Sequence, residues 1–469
     1  MANTVVINPV TRISGFLEIE VQVERGKIVN AKSSGMLFRG FEKMLKGKSP
    51  LDAIYFTQRI CGICSTAHSM SSSLALENAL GILPGFSNKV IREFVHGCEF
   101  LQNHIRHFYQ YTLPDYVSGP AIHPLYVVSH SDFRLPKKLN DELAQHYVAS
   151  LEYSSLAHEM LAILGGKAPH NHGIFVGGIT SEIDASKLVS LKSILKAIVE
   201  FVETVMIPDA YILGQYYPEY YQMGVGHKNL MTYGVFDYPE ANSIYYTKPG
   251  VYVNGGMCGF DARAISEDVQ KSWYVSDKVQ NMPLDTVTEE DPYKEGAYTW
   301  IKAPRYNGLP MEVGPLARMF ISGSYVRGIS TMDRTIARAL EAKKVGDIMR
   351  NILELIPTYR PNQKQYEMPV RAIGEGLIDT TRGALGHWIS IEEKVIKNYG
   401  IITPTAWNLS PQDSKGIKGT IESALLGTDI EDLDSPVEIG RIVRSFDPCV
   451  SCATHLYSKG KDSIQIRLM

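Results

Sequence analysis

Apolar and polar residues alternate from Phe16 to Val23. Leu17, Ile19, Val21 and Val23 share one face, Glu18, Glu20 and Gln22 the other, and this period of two predicts a strand. A turn over Glu24-Arg25-Gly26-Lys27 leads into Ile28 and Val29, so residues 4–34 read as a small sheet. The period then lengthens. Over 88–113 apolar groups recur at Ile91, Phe94, Val95, Cys98, Leu101, Ile105, Phe108 and Tyr109, mostly three and four apart, behind a candidate Ser87 cap and ahead of Pro114. A long helix with one buried stripe is expected there. Residues 185–206 repeat the pattern through Leu188, Leu191, Leu195, Ile198, Val202 and Val205 and are expected to stop at Pro208. Residues 141–164, closed by Gly165-Gly166, and 330–356, closed by Pro357, complete a set of four long helices. The tyrosine-rich stretch 211–221 and the Gly- and Pro-bearing 222–315 sustain no period and read as loops and short strands. The expected class is α+β and predominantly helical, with a long-helix bundle core and small peripheral sheets. No repeat or linker divides the chain, so 1–469 is read as one domain.

Composition agrees with a large folded core, since 44% of the residues are hydrophobic and 21% charged. With a formal net charge of −3, nothing attracts the chain broadly to nucleic acid or anionic lipid. The first residues carry no basic patch followed by an apolar run, and no window approaches the roughly 18 apolar residues of a membrane span. The chain is therefore expected to be soluble by itself and to carry no export address.

Six cysteines in so long a chain do not make a disulfide scaffold, and four of them form two C-x-x-C pairs. Cys98 and Cys258 are singletons, each expected to be a small buried apolar residue. Cys61 and Cys64 sit in RICGICSTAH, where Gly62 allows a tight turn between the sulfurs and where His68 shares a face with Cys64 if a helix begins there. Cys449 and Cys452 sit in DPCVSCATH, with His455 in the corresponding place. One such pair is weak evidence; two, each followed by histidine, point to metal. Thiolates suit zinc, nickel or iron alike, but a zinc ribbon closes over roughly 15–20 residues, whereas almost the whole chain separates these pairs. The two ends must then converge on one site. Two plainer readings stay open at this point: a zinc site that only ties the termini together, and two independent dithiol motifs.

The two runs resemble the paired signatures of nickel-iron hydrogenase large subunits, FTQRICGICSTAH looking closest to the respiratory uptake branch. NPVTRISGFLEIEV, LFRGFEKML (37–45), GGKAPHNHGIFVGG (165–178), RGALGHWI (382–389) and TPTAWN (403–408) follow in the family's order. The resemblance implies nickel held by Cys61, Cys64, Cys449 and Cys452, with Cys64 and Cys452 bridging to an iron that carries carbon monoxide and two cyanides. It implies reversible heterolytic cleavage of H2, with Cys449 taking the proton. Arg382, Thr405 and Pro404 would border the iron ligands, Asp115 and Asp447 would orient Arg382, and His68 would hydrogen-bond a cysteine sulfur. Glu42, His455 and the main-chain carbonyl of Ile401 would bind Mg2+. Each also has an ordinary reading, as an ion pair, a cap or a solvated charge. His104 and His107 are read as packed or surface residues, and His387 is undecided.

The resemblance further implies an iron-sulfur small subunit as partner in a heterodimer, with membrane-associated or periplasmic placement through that partner. Two departures stand out. Ser14 occupies the place of a glutamate that the family uses to relay protons, which gives weight to an alternative, a hydrogen sensor with slow turnover; a third reading is a non-catalytic structural relative. Residues 456–469 correspond to a C-terminal piece that the family removes on maturation.

Overall fold

A computed structural model of the chain describes residues 3–120, 130–238, 241–275, 281–286, 288–355, 358–361 and 365–453, apart from the side chains of Cys452 and Ala453. The alternating N-terminal segment is the middle strand of an antiparallel sheet ordered β1 (Asn3–Ile7), β2 (Leu17–Glu24) and β3 (Lys27–Gly35). Leu17, Ile19, Val21 and Val23 are buried. Arg25 and Gly26, both at positive φ, close the tight turn between β2 and β3.

Helices follow. α1 (Ser65–Leu80) starts directly after the first cysteine pair, and α2 (Phe86–Arg106) begins behind Gly85 rather than Ser87. After Arg106 the expected α-helix widens into a π turn at His107–Thr112 and tightens into a 3-10 turn at Leu113–Asp115. The single stripe expected for α2 is also corrected. It packs against α1, against α3 (Lys137–Gly165) and against the later long helix, so His96, Glu99, Asn103 and His107 are buried as a second, polar stripe. α4 (Ala185–Phe201) does not end the helical run at Pro208. A π turn at Val202–Met206 carries it into α5 (Ile207–Tyr216), where the proline falls in the first turn and its missing N–H costs little. Tyrosines 211 and 216 are thus helical, not loop. α6 (Thr331–Leu355) runs against α2, α4 and α5.

The region 365–402, which carried no assigned element, forms another three-stranded antiparallel sheet, ordered β4 (Arg371–Thr380), β5 (Gly383–Glu392) and β6 (Val395–Ile402). β5 is buried on both faces for most of its length, which removes the alternation that marks a half-exposed strand. α1 lies across this sheet at close range. A Cβ on Gly376 would stand 2.0 Å from the Ser71 carbonyl oxygen, and one on Gly374 2.2 Å from that of Ala75. α7 (Pro404–Asn408), α8 (Val437–Ser445) and α9 (Val450–Ala453) follow, with a short helix at Thr420–Leu425 between α7 and α8.

The largest apolar cluster joins α2, α3, α4 and α6, through residues such as Phe94, Leu161, Leu195 and Val345. A second unites Leu17, Ile19 and Val21 of β2 with Ile439, Ile442, Val443 and Val450 near the other end of the chain. Burial of these groups, each worth about 1.5–3 kcal/mol, supplies the drive that brings the two ends together. Cys98 is buried as expected, but Cys258 is exposed on the short strand Gly256–Cys258. Among the described residues no helix is long and apolar enough to cross a membrane.

A candidate metal centre between the chain ends

Cys61 lies in the link after the helix Asp52–Gln58, and Cys64 is the N-cap of α1, its carbonyl accepting from His68 N at 3.3 Å. The first amides of a helix lack internal partners. Here Thr66 N and Ala67 N donate to the Glu99 carboxylate of α2, at 2.8 and 3.2 Å, an anion at the positive end of α1. Burial, opposed by His96 and by these two amides, raises the Glu99 carboxyl above its ordinary value.

Cys449 is positioned from the opposite end of the chain. Ser14 pairs with it in a parallel bridge, donating from its amide to Pro448 O at 3.2 Å and accepting from Val450 N at 2.6 Å. Gly15 is needed here, because a Cβ would stand 2.6 Å from Ser451 N and φ is +89°. Asp447 also takes a positive φ, 53°, turning the chain into Pro448-Cys449. Thr405 Oγ1, in the first turn of α7, accepts from Cys449 N at 3.1 Å. Arg39 binds the two motifs to each other, donating to Ser451 O at 2.6 Å and to the carbonyls of Arg59 and Ile60.

The sulfurs converge. Cys61 Sγ and Cys449 Sγ are 3.3 Å apart, and those of Cys61, Cys64 and Cys449 all lie within 4.8 Å of one another, all three buried. Sulfurs sharing one tetrahedral ion at about 2.3 Å would be roughly 3.8 Å apart, so the set fits a soft metal. The Cys452 side chain and His455 lie outside the described residues.

A small cavity, with about 10 Å3 of room for the centre of a water-sized molecule, adjoins Cys64 and is lined also by Ala67, His68, Thr380, Arg382, Leu385, Pro404 and Thr405. Arg382 is fixed there by two hydrogen bonds, Nε to Asp447 O at 3.0 Å and Nη2 to Asn103 Oδ1 at 2.8 Å, and by an ion pair of Nη2 with Asp447 Oδ1 at 3.0 Å. Burial alone would loosen its proton, but Asp447 and the three cysteine sulfurs outweigh burial and hold the guanidinium well above its ordinary value. Asp447, buried likewise, is held below the usual carboxylate range by Arg382, His107 and Arg338.

Asp115, expected to orient Arg382, does not touch it. Its carboxylate is bound by Arg444, Nε at 2.6 Å and Nη2 at 2.7 Å, and by Arg12. The π turn after Arg106 carries it away from the cavity, and the place beside Arg382 belongs to Asn103, which also donates to Asp447 Oδ2 at 2.7 Å. Asn103 was not singled out from the sequence. The available signal was the 96-99-103-107 spacing of polar residues along an otherwise apolar helix.

His68 turns Nδ1 to His387 Nε2, 3.1 Å away. Burial, with help from Arg39 and against Cys449, lowers its pKa to about 4, and burial followed by the proximity of His68 takes His387 well below its ordinary value. His104 and His107 are packed, on Glu341 Oε2 at 2.8 Å and Arg444 O at 2.7 Å. Glu42, on the short helix Phe41–Leu45, is buried with Lys302 Nζ at 2.9 Å, and it accepts from Ile401 N at 2.9 Å. Glu267 Oε2 lies 3.4 Å from the same ammonium.

A family model described as nickel-dependent hydrogenase matches residues 39–124, 121–328 and 324–455. The periplasmic [NiFeSe] hydrogenase large subunit of Desulfomicrobium baculatum is 35% identical over 96% of this chain and 94% of its own length. The uptake hydrogenase large subunit of Bradyrhizobium diazoefficiens is 30% identical, over 97% and 95%. Among solved structures, the [NiFeSe] hydrogenase of Desulfovibrio vulgaris Hildenborough in its reduced state superposes with a TM-score of 0.93 at 36% identity, covering 97% of this chain and 100% of that one.

Proposed function

The chain belongs to the nickel-dependent hydrogenase family, as a large catalytic subunit and an oxidoreductase acting on H2, and from that premise we propose which of its residues hold the metals and move the proton. The observation that carries the assignment is the convergence of Cys61, Cys64 and Cys449 within 4.8 Å. With Cys452 they would hold nickel, Cys64 and Cys452 also bridging to an iron with carbon monoxide and two cyanide ligands. When bound, that group supplies the site at which H2 is split heterolytically.

The protein's own part is to receive the proton and fix the charges. Cys449 Sγ is the proton acceptor. Ser14 Oγ, beside it and 3.3 Å from Ser451 Oγ, can pass a proton along but cannot store one as a carboxylate would. Arg382 cannot surrender its proton. It stands over the cavity as a fixed positive charge, suited to a cyanide nitrogen or to a polarised H2, with Asp447 and Asn103 as its anchors. Thr405 and Pro404 line the side where the iron ligands would sit. Glu42, the Ile401 carbonyl and His455 are the proposed Mg2+ ligands, and the buried Glu42 carboxylate is already held in place by Lys302.

The partner is an iron-sulfur small subunit. Outside the two pairs this chain has only Cys98 and Cys258, too few to hold a cluster. We take the chain as one catalytic domain, trimmed after His455 and placed in a membrane-associated or periplasmic complex through its partner, the quinone-reactive large chain of Wolinella succinogenes and the periplasmic relative supporting that placement. Ser14 favours a second reading, a hydrogen sensor with slow turnover.

The test is metal analysis with infrared spectroscopy on protein co-produced with its partner. One nickel and one iron per chain are expected, with bands in the carbonyl and cyanide stretching region. Zinc alone, or nickel without those bands, would refute the bimetallic assignment.

A further inference from the structure

Another hollow shares no lining residue with the metal cavity and has about 360 Å3 of room for the centres of water-sized molecules. Three lysines from distant parts of the chain line it: Lys32 on β3, Lys271 just after the short strand Ile265–Asp268, and Lys418 just before the helix Thr420–Leu425. All three are half-buried, and among the described residues that line the hollow none is acidic. The whole chain carries a formal charge of −3, so this concentration of positive charge is local.

The lysines are held in place rather than free to swing away. Lys32 faces Glu20 across the β2–β3 ladder, with Nζ 2.8 Å from Oε1, and Lys418 Nζ donates to Ala31 O at 2.8 Å. Lys271 is anchored by its backbone, its carbonyl accepting from Tyr298 N at 3.0 Å, while its Nζ has neither an ion pair nor a hydrogen bond among the described residues. Gly296 leaves that ammonium open, since a side chain there would begin 3.5 Å from Lys271 Nζ and cover it.

Carboxylates answer little of this charge. Glu20 is spent on Lys32, and the buried Glu422 does not line the hollow; it accepts from Ser33 N at 3.1 Å, Gly419 N at 3.3 Å and the Tyr298 hydroxyl at 2.7 Å. Burial lowers the Lys418 pKa, and of its charged neighbours Glu422 and Glu20 oppose the shift while Lys32 and Lys271 add to it. Like charges gathered half out of water repel one another, and an anion seated among them removes that repulsion. Asn30 and Gln412 add side-chain amides to the wall, donors that suit an oxygen-bearing anion. Lysine binds phosphate in this way, as a point charge with three donors.

We propose that Lys32, Lys271 and Lys418 form a binding site for a phosphate-class oxyanion, separate from the chemistry of hydrogen. The seat is shared by β3, the stretch after Asp268 and the loop before Thr420, so an anion bound there ties early, middle and late parts of the chain together. A ligand that binds only this folded arrangement stabilises it.

The experiment is isothermal titration calorimetry of sodium phosphate into the chain co-produced with its partner, in wild type, Lys271→Gln, Lys271→Arg and Lys418→Gln, with sodium chloride at matched ionic strength as the control. Wild type is expected to take up one phosphate per chain saturably. Lys271→Gln is expected to weaken binding about tenfold or more, the scale for losing one charged hydrogen bond, and Lys271→Arg to keep it. Because Lys271 Nζ holds no other group, this pair decides the matter even if Lys418→Gln, which also releases Ala31 O, does not fold. Glycerol phosphate is the second titrant. Binding of both would show that the site accepts a phosphate borne on a larger molecule, and binding of the inorganic ion alone that it takes the free ion; either supports the site. No saturable binding of either phosphate to wild type, equal binding in Lys271→Gln, or the same heats from chloride would overturn it.

Discussion

Arg382 is held by oxygens in three directions, from Asp447 O, Asp447 Oδ1 and Asn103 Oδ1, a fork that a lysine ammonium cannot copy. Arg382→Lys is therefore expected to leave nickel content near wild type while lowering H2-dependent turnover by about 10²–10³-fold, the scale for losing one preorganised donor. Metal analysis beside a turnover assay separates the two effects. At this scale the convergence of Cys61, Cys64 and Cys449, and the nearness of Arg382 and Thr405 to Cys64, were legible from their motifs. Asp115 was misassigned, and Asn103 passed over, because a widened turn at His107–Thr112 changes which residue of the segment faces the cavity. Such a turn leaves no mark in an apolar pattern. The hollow of Lys32, Lys271 and Lys418 was equally hidden, since the three distant stretches that form it meet only in the fold.

α2, α8 and the N-terminal segment are clamped at Asp115, whose buried carboxylate takes both Arg444 and Arg12. Burial opposes its ionisation, but the two guanidinium groups outweigh burial and hold it down to about 2. A carboxyl depressed in the folded state binds fewer protons than in the unfolded chain, so its stabilisation is present above about pH 4 and fades as pH falls toward 2, on the order of 2 kcal/mol in all. In Asp115→Asn this part of the pH dependence should vanish from denaturation curves. Overall stability should fall by roughly 3–5 kcal/mol, because two cations are left without their partner. Among elements, β2 and the four long helices could be read from period alone. β4 to β6 could not, since a strand covered on both faces loses its alternation, and α5 could not, since Pro208 imitates a stop that a π turn removes.

At the scale of the molecule, convergence of the ends was the one tertiary feature the sequence demanded, and the apolar cluster joining β2 to α8 and α9 provides it. Residues 456–469 follow directly after the proposed last ligand, so intact-mass measurement on nickel-loaded protein is expected to show a chain ending at His455; a full-length mass would mean the tail is kept. The bridge between Ser14 and Cys449 has a consequence in time as well as in space. On the ribosome, one sulfur pair emerges early and the other only as synthesis finishes. A metal caught by the early pair would be half-coordinated and open to exchange, so correct loading has to wait for the finished polypeptide, and insertion becomes a closing step that seals both extremities at once.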